Sequence, residues 1–323
     1  MPRRAWIGLA VALIAACILA IAIGSVRLTP GQVFDALRGV GDAVPIAIVR
    51  TLRLPRVLIG VLVGAGLGLS GGALQGAMRN PLAEPYLLGV SGGAAVGAVI
   101  AGQLGVPSSL IGVAAFLGAM LAVVAAFSVA QAARAGGDAR VLLMAGVVVG
   151  AFANAAIMIV LANADPNSTR SAVWWMMGST TDAGWPQIVT LAVYIFVGGG
   201  ALVVFAREID VLALGEDAAA GLGLDVTRAL RRVFLLASLI AASTVAAAGL
   251  IGFVGLVVPH IVRGLGARRH RPLLIGCAMA GGTLVVCADL VGRVVRPPAE
   301  LPVGAITALV GVPFFLTRLR RLV

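Results

Sequence analysis

His260 and His270 are the only histidines of the chain, and Cys17, Cys277 and Cys287 its only cysteines, each alone in or beside an apolar stretch. No Cys/His spacing suits a metal, and His260 has neither nucleophile nor base at helical spacing, so the residues for an intramembrane enzyme are missing. The thiols read as small buried hydrophobes and His260 as a packing residue. What remains is the chemistry of charge. All 24 basic residues are arginine, set against 13 carboxylates. A Walker-type loop needs its lysine on the nucleotide phosphates, so a chain without lysine is not itself a P-loop ATPase. The charges gather between Arg207 and Arg232, where Glu216 and Asp217 suit a helix start, Gly221 and Gly223 its end, and Asp225 the cap of a second short helix. Elsewhere Asp289 precedes Arg293 by four residues, the spacing of an ion pair closing a span end.

The elements that carry these groups are set by lipid. Sixty per cent of the residues are hydrophobic, 11% are charged and the mean hydropathy is +1.08, outside the range of soluble domains. A span takes roughly 20 apolar residues. About ten runs qualify: 5–24, 57–78, 87–104, 109–130, 141–162, 188–206, 233–249, 253–262, 273–290 and 303–316. The eighth is too short to cross unless Gly249–Gly252 is drawn into the membrane. The first follows Arg3-Arg4 but lacks a small-residue cleavage site before a polar chain, and reads as a retained span. With the amino terminus inside, 16 of the 24 arginines fall on the inner side. The net charge of +11 therefore reports orientation and anionic lipid, with no nucleic-acid partner. Almost every acid lies at a span end or in a loop, which leaves an ion-coupled secondary transporter without the intramembrane groups it needs.

Gly60, Gly64, Gly68, Gly72 and Gly76 share one face of the second span and admit another backbone closely, as packing or as pathway lining. That span ends at Arg79-Asn80-Pro81-Leu82-Ala83-Glu84-Pro85, where the Asn-Pro step stops the helix, and Gly89-Val90-Ser91-Gly92-Gly93 starts the next. Further clusters are Gly252 to Arg263, with Pro259 and His260, and Asp289 to Gly304.

In order and spacing, the stretch from Gln75 to Ala94, the island Leu214 to Leu224, Phe253 to Arg263 and Asp289 to Gly304 resemble the permease subunits of ATP-driven importers for iron-siderophores, haem and cobalamin. Arg53-Leu54-Pro55-Arg56 and Trp174 to Gly178 add to the likeness, which spans nearly the whole chain. The resemblance implies an all-α polytopic membrane protein, one domain over 1–323, with about ten transmembrane helices and two short cytoplasmic coupling helices between helices 6 and 7, within 207–232. It implies a homodimer in the bacterial inner membrane with both termini cytoplasmic, two ATP-binding cassette subunits below and a periplasmic binding protein above. No cofactor is implied on this chain; ATP and Mg belong to the ATPase. Leu214, Gly215, Glu216, Asp217, Ala218, Gly221, Leu222, Gly223 and Leu224 would couple to the ATPase. Arg53, Arg56 and Arg293 would dock acidic lobes of the binding protein. Asn80, Pro81 and Leu82 would border the inner gate, with Asp138, Gly64 and Gly68 along the pathway. The segment Ala135 to Arg140 lacks the serines and threonines usual at the companion gate. Asn154, Met158, Ser171, Trp174 and Trp175 at the outer mouth suit haem, a siderophore or cobalamin alike, with iron chelates ranked first.

Overall fold

A computed structural model describes residues 1–24, 26–133, 138–181, 184–296 and 299–319, and no strand occurs among them. The helices are α1 (Arg3–Ala22), α2 (Pro30–Arg38), α3 (Ala43–Ala47), α4 (Leu54–Ala77), α5 (Val90–Gln103), α6 (Ser108–Ala132), α7 (Ala139–Ala162), α8 (Pro166–Met176), α9 (Trp185–Val204), α10 (Ala206–Leu212), α11 (Glu216–Gly221), α12 (Val226–Ala248), α13 (Val254–Gly264), α14 (His270–Val294) and α15 (Val303–Leu319). A π-helical stretch, Ile48–Arg53, joins α3 to α4 without a break. Among the described residues, seven helical stretches are long and apolar enough to cross a bilayer: α1, Ala43–Ala77 including α4, α6, α7, α9, α12 and α14. Three shorter apolar helices, α5, α13 and α15, bring the apolar set into register with the ten runs of the sequence.

Local chemistry sets the helix ends. Asp138, Asp165 and Asp225 each accept a backbone N–H from the first turn they precede, of α7, α8 and α12 respectively. Thr29 and Gln32 form a reciprocal capping box on α2, and Gly39 closes that helix in the left-handed region at φ 78°.

α4 is the centre of the bundle. It is buried at nearly every position from Pro55 to Ala77 and packs against α14, α12, α13 and α9. Its glycine face makes this possible: a Cβ on Gly64 would overlap the Gly281 carbonyl, one on Gly68 that of Cys277, and one on Gly71 that of Gly255. Glycine contacts also join α5 to α6, where Gly93 and Gly118 meet backbone to backbone. Large apolar side chains point outward instead along the rim helices, among them Ile14 and Ile18 of α1, Leu121 of α6 and Phe196 of α9. Such an apolar exterior is stable when lipid covers it.

α13 is half length, and the chain reaches it through non-helical residues 249–253, ending in Phe253 in the left-handed region at φ 67°. This backbone lies inside the subunit, with Ile251 buried and Gly255 against Gly71 of α4. Non-helical backbone at such a place needs internal partners. Tyr86 supplies them, its hydroxyl donating to the Ile251 carbonyl at 3.1 Å and accepting the Ile251 N–H at 3.0 Å.

Candidate functional site

The polar island forms one face of the bundle. α10 turns Ile209 and Leu212 into the core, Gly215 breaks the chain at φ 112°, and α11 begins at Glu216 and Asp217. Beyond the buried Ala219, the segment is presented outward: Leu214 and Leu222 are 61% and 66% exposed, and Glu216, Asp217, Ala218, Gly221 and Gly223 stand open beside them. Leu224 is half-buried and Gly215 is buried beneath the Arg79 guanidinium. Two exposed apolar residues thus stand among carboxylates and small residues, all outside the apolar helices. The expected pair of short helices exists, but it consists of α10 and α11. Asp225 does cap a helix, accepting the Arg228 N–H at 2.9 Å, yet that helix is α12 itself. Arg228, Arg231 and Arg232 lie on its first turns without interrupting it.

Next to the island, α4 ends at Ala77, Arg79 two residues beyond holds φ 51°, and Asn80 Oδ1 accepts the Leu82 N–H at 2.9 Å. This turn leaves Pro81 and Leu82 exposed, while Ala83 and Pro85 are buried. Asp138, expected along the pathway, is occupied as the cap of α7, accepting the Arg140 N–H at 2.7 Å. The companion segment Ala135–Gly137 lies outside the described residues. Gly64 and Gly68 are corrected from pathway lining to helix packing, because the α14 backbone covers both.

The opposite face carries a second correction. Arg53, Arg56 and Arg293, expected as charges meeting a docking partner, are 5%, 9% and 6% exposed. Arg56 grips Asp289 and Glu300, with contacts of 2.8 and 2.9 Å. Arg293 donates to the Ala20 carbonyl at 3.0 Å and lies 3.1 Å from Asp289, close enough for charge pairing but poorly aligned for a hydrogen bond. Thr180 donates to the same carboxylate at 2.6 Å. Arg53 donates to the carbonyls of Ile21, Ala22 and Val26, closing the end of α1. A cation taken out of water must be paired, so these arginines are spent within the subunit. Arg27, Arg38, Arg50, Arg170 and Arg296 remain exposed.

Several polar groups had no local signal in the sequence. Arg263 donates to Gln75 Oε1 at 2.6 Å, and Gln75 Nε2 donates to the carbonyls of Gly255 and Leu256 at 3.2 Å, which fastens α13 to α4. Glu84, between α4 and α5, faces a small apolar recess with Leu67, Tyr86, Ile251 and Phe253. Its carboxylate has no hydrogen bond or ion pair among the described residues, and burial pushes it up to about 7. Asp210 and His270 join α10 to α14 across 60 positions of sequence.

A family model for the FecCD transport family matches residues 12–321, and the chain belongs to that family. A cobalamin import system permease protein of Halobacterium salinarum is 45% identical over 278 residues, 84% of this chain and 73% of that protein. A hemin transport system permease protein of Yersinia pestis is 38% identical over 273 residues, 82% and 80% of the two chains. An Fe(3+)-citrate import system permease protein of Bacillus subtilis is 33% identical over 322 residues, 99% and 95% of the two. A solved structure described as an inward-facing conformation of a metal-chelate type ABC transporter superposes with a TM-score of 0.90 at 28% identity, over 99% of this chain and 100% of that one. The chain is thus a multi-pass permease subunit of an ABC transporter, a transport component and not an enzyme.

Proposed function

We propose that the chain is the membrane-spanning permease of an importer that moves a large chelate, haem or a ferric siderophore first and cobalamin second, from a periplasmic binding protein to the cytoplasm of a bacterium. The observation that carries this reading is the island: an exposed, partly acidic protein surface on α11, set in a chain that has no lysine for nucleotide phosphates of its own. The force-generating subunits, two ATP-binding cassettes holding ATP and Mg, seat on that surface. The island face is then cytoplasmic, in accord with the arginine bias of the loops, and the membrane is the inner one. A second copy of the chain completes the pathway. Support comes from Asn154 in the outer half of α7, exposed on the face it shares with Met158 one turn on. An amide turned outward within a span is costly against lipid and fits a pathway between two copies. On the periplasmic face the exposed arginines, Arg27, Arg38, Arg50, Arg170 and Arg296, meet the binding protein. Arg53, Arg56 and Arg293 shape the surface beneath.

Reconstitution tests the reading. In vesicles with a binding protein loaded with hemin or cyanocobalamin, uptake is expected only when a separate ATPase subunit and ATP are present, and the purified permease alone hydrolyses none. Uptake driven by an ion gradient without the ATPase would overturn it.

A further inference from the structure

α10 is seven residues long, and three of them in succession reach three different central helices. Glu208 Oε1 accepts from Arg232 of α12 at 2.8 Å. Ile209, fully buried, lies against Gly76 of α4, where a Cβ would crowd its side chain. Asp210 Oδ1 accepts both the backbone N–H of His270, at 2.8 Å, and its Nδ1, at 2.7 Å, at the start of α14. Successive helical residues stand about 100° apart, so a run of three sweeps most of the inward half of a helix. The imidazole of His270 itself closes over Gly76, so that α4, α10 and α14 meet at one point. At the other end of α10, the Arg79 guanidinium from the tip of α4 covers Gly215, the hinge into α11.

We propose that α10 is the element that passes motion of α11 into the central helices, through Glu208 on α12, Ile209 on α4 and Asp210 on α14, with the Asp210–His270 bond the contact on which that transmission depends. The proposal rests on the reading of α11 as the seat of the ATPase. Glu208, Asp210 and His270 are positioning residues: they touch no substrate and act through the helices they hold. The three contacts differ in what they resist. The Ile209–Gly76 contact is apolar and tolerates sliding. The Glu208–Arg232 pair is exposed at its arginine end, 45%, and ends in a flexible side chain. Asp210 makes two bonds with one oxygen to a residue whose backbone begins α14, and its partner's side chain is only 11% exposed. A short side chain bonded to a helix start moves that helix with it, as a rigid-body transmission requires.

The experiment uses the full transporter in vesicles, in a permease carrying a single added cysteine labelled with an environment-sensitive fluorophore at Ala218 of α11 or at Val294, the far end of α14, after Cys17, Cys277 and Cys287 are replaced. In the parent, ATP changes the signal at both positions. With Asp210→Ala, the change at 218 and the rate of ATP hydrolysis are kept, while the change at 294 per ATP hydrolysed falls at least about fivefold, the low end of ordinary coupling between sites. Asp210→Asn keeps the accepting oxygen and behaves as the parent. Should Asp210→Ala fail to assemble, Asp210→Leu, of similar outline but with no accepting oxygen, decides in the same way. A full response at 294 in Asp210→Ala or Asp210→Leu overturns the proposal. A parent in which ATP leaves position 218 unchanged overturns instead the seating of the ATPase on α11.

Discussion

Asp289 and Glu300 face the same arginine, but they answer to different physics. Asp289 is enclosed between Arg56, Arg293 and Thr180, so removing its charge leaves two buried guanidinium groups short of a partner. Asp289→Ala is expected to lose about 3–5 kcal/mol, the usual cost of breaking a buried pair from one side. Glu300 is 41% exposed at its side chain, and Glu300→Gln is expected to cost about 0–1 kcal/mol. Thermal unfolding in detergent separates them; equal losses would contradict the assignment of burial. Glu84 behaves oppositely to a paired acid. Its carboxyl titrates at about 7 in the fold, against ~4.3 in an unfolded chain. Below both values it is neutral in either state and changes nothing. As pH rises between them the unfolded chain ionises first, and the fold loses stability until the upper value is passed. Glu84→Gln is therefore expected to melt higher than the parent at about pH 8, by much less at about pH 5, and with it only at about pH 3, below both values. A variant that melts lower than the parent at the higher pH would show that the ionised carboxylate has a partner. Of these residues, only the Asp289–Arg293 pair was legible in the sequence, because four positions on a helix are neighbours. Arg56 and Glu300 are 244 positions apart, and nothing local announces such a pair.

At the scale of elements, the apolar helices were legible because lipid imposes a length on every crossing, and the aspartate caps because their bonds are local. The half-length α13 was legible as a run of ten residues, with the stretch before it drawn inside. What the sequence left open was the use of the glycine face of α4, since a close approach serves a pathway or a neighbour equally well. Structure decides for the neighbour: Gly64 and Gly281 each receive the other's carbonyl where a side chain would stand. Gly64→Ala or Gly281→Ala must part α4 from α14 and is expected to lose at least about 1–3 kcal/mol by overpacking. Gly200→Ala on α9, where nothing lies within 4 Å, is expected to be neutral or to gain about 0.4–1 kcal/mol. Similar melting temperatures for the Gly64 and Gly200 variants would contradict the packing. The short helices were misassigned by one element for a physical reason: Asp225 marks a helix start correctly, but no local signal says whether the helix beginning there is short or continues through the bilayer.

As a whole the molecule is a glycine-packed bundle whose polar groups are drawn to its two faces, one closed by buried ion pairs and the other carrying α10 and α11. In the proposed transport cycle, force enters the bundle at the island. Glu216 and Asp217 are exposed and bonded to nothing in the bundle among the described residues, so reversing their charge should leave packing intact. The most direct measurement is ATP-driven uptake by vesicles containing the ATPase, the loaded binding protein and the permease with Glu216→Arg and Asp217→Arg. The variant should reach the membrane, melt with the parent and lose uptake. A variant that binds the ATPase as the parent does and transports at the parent rate would contradict the account.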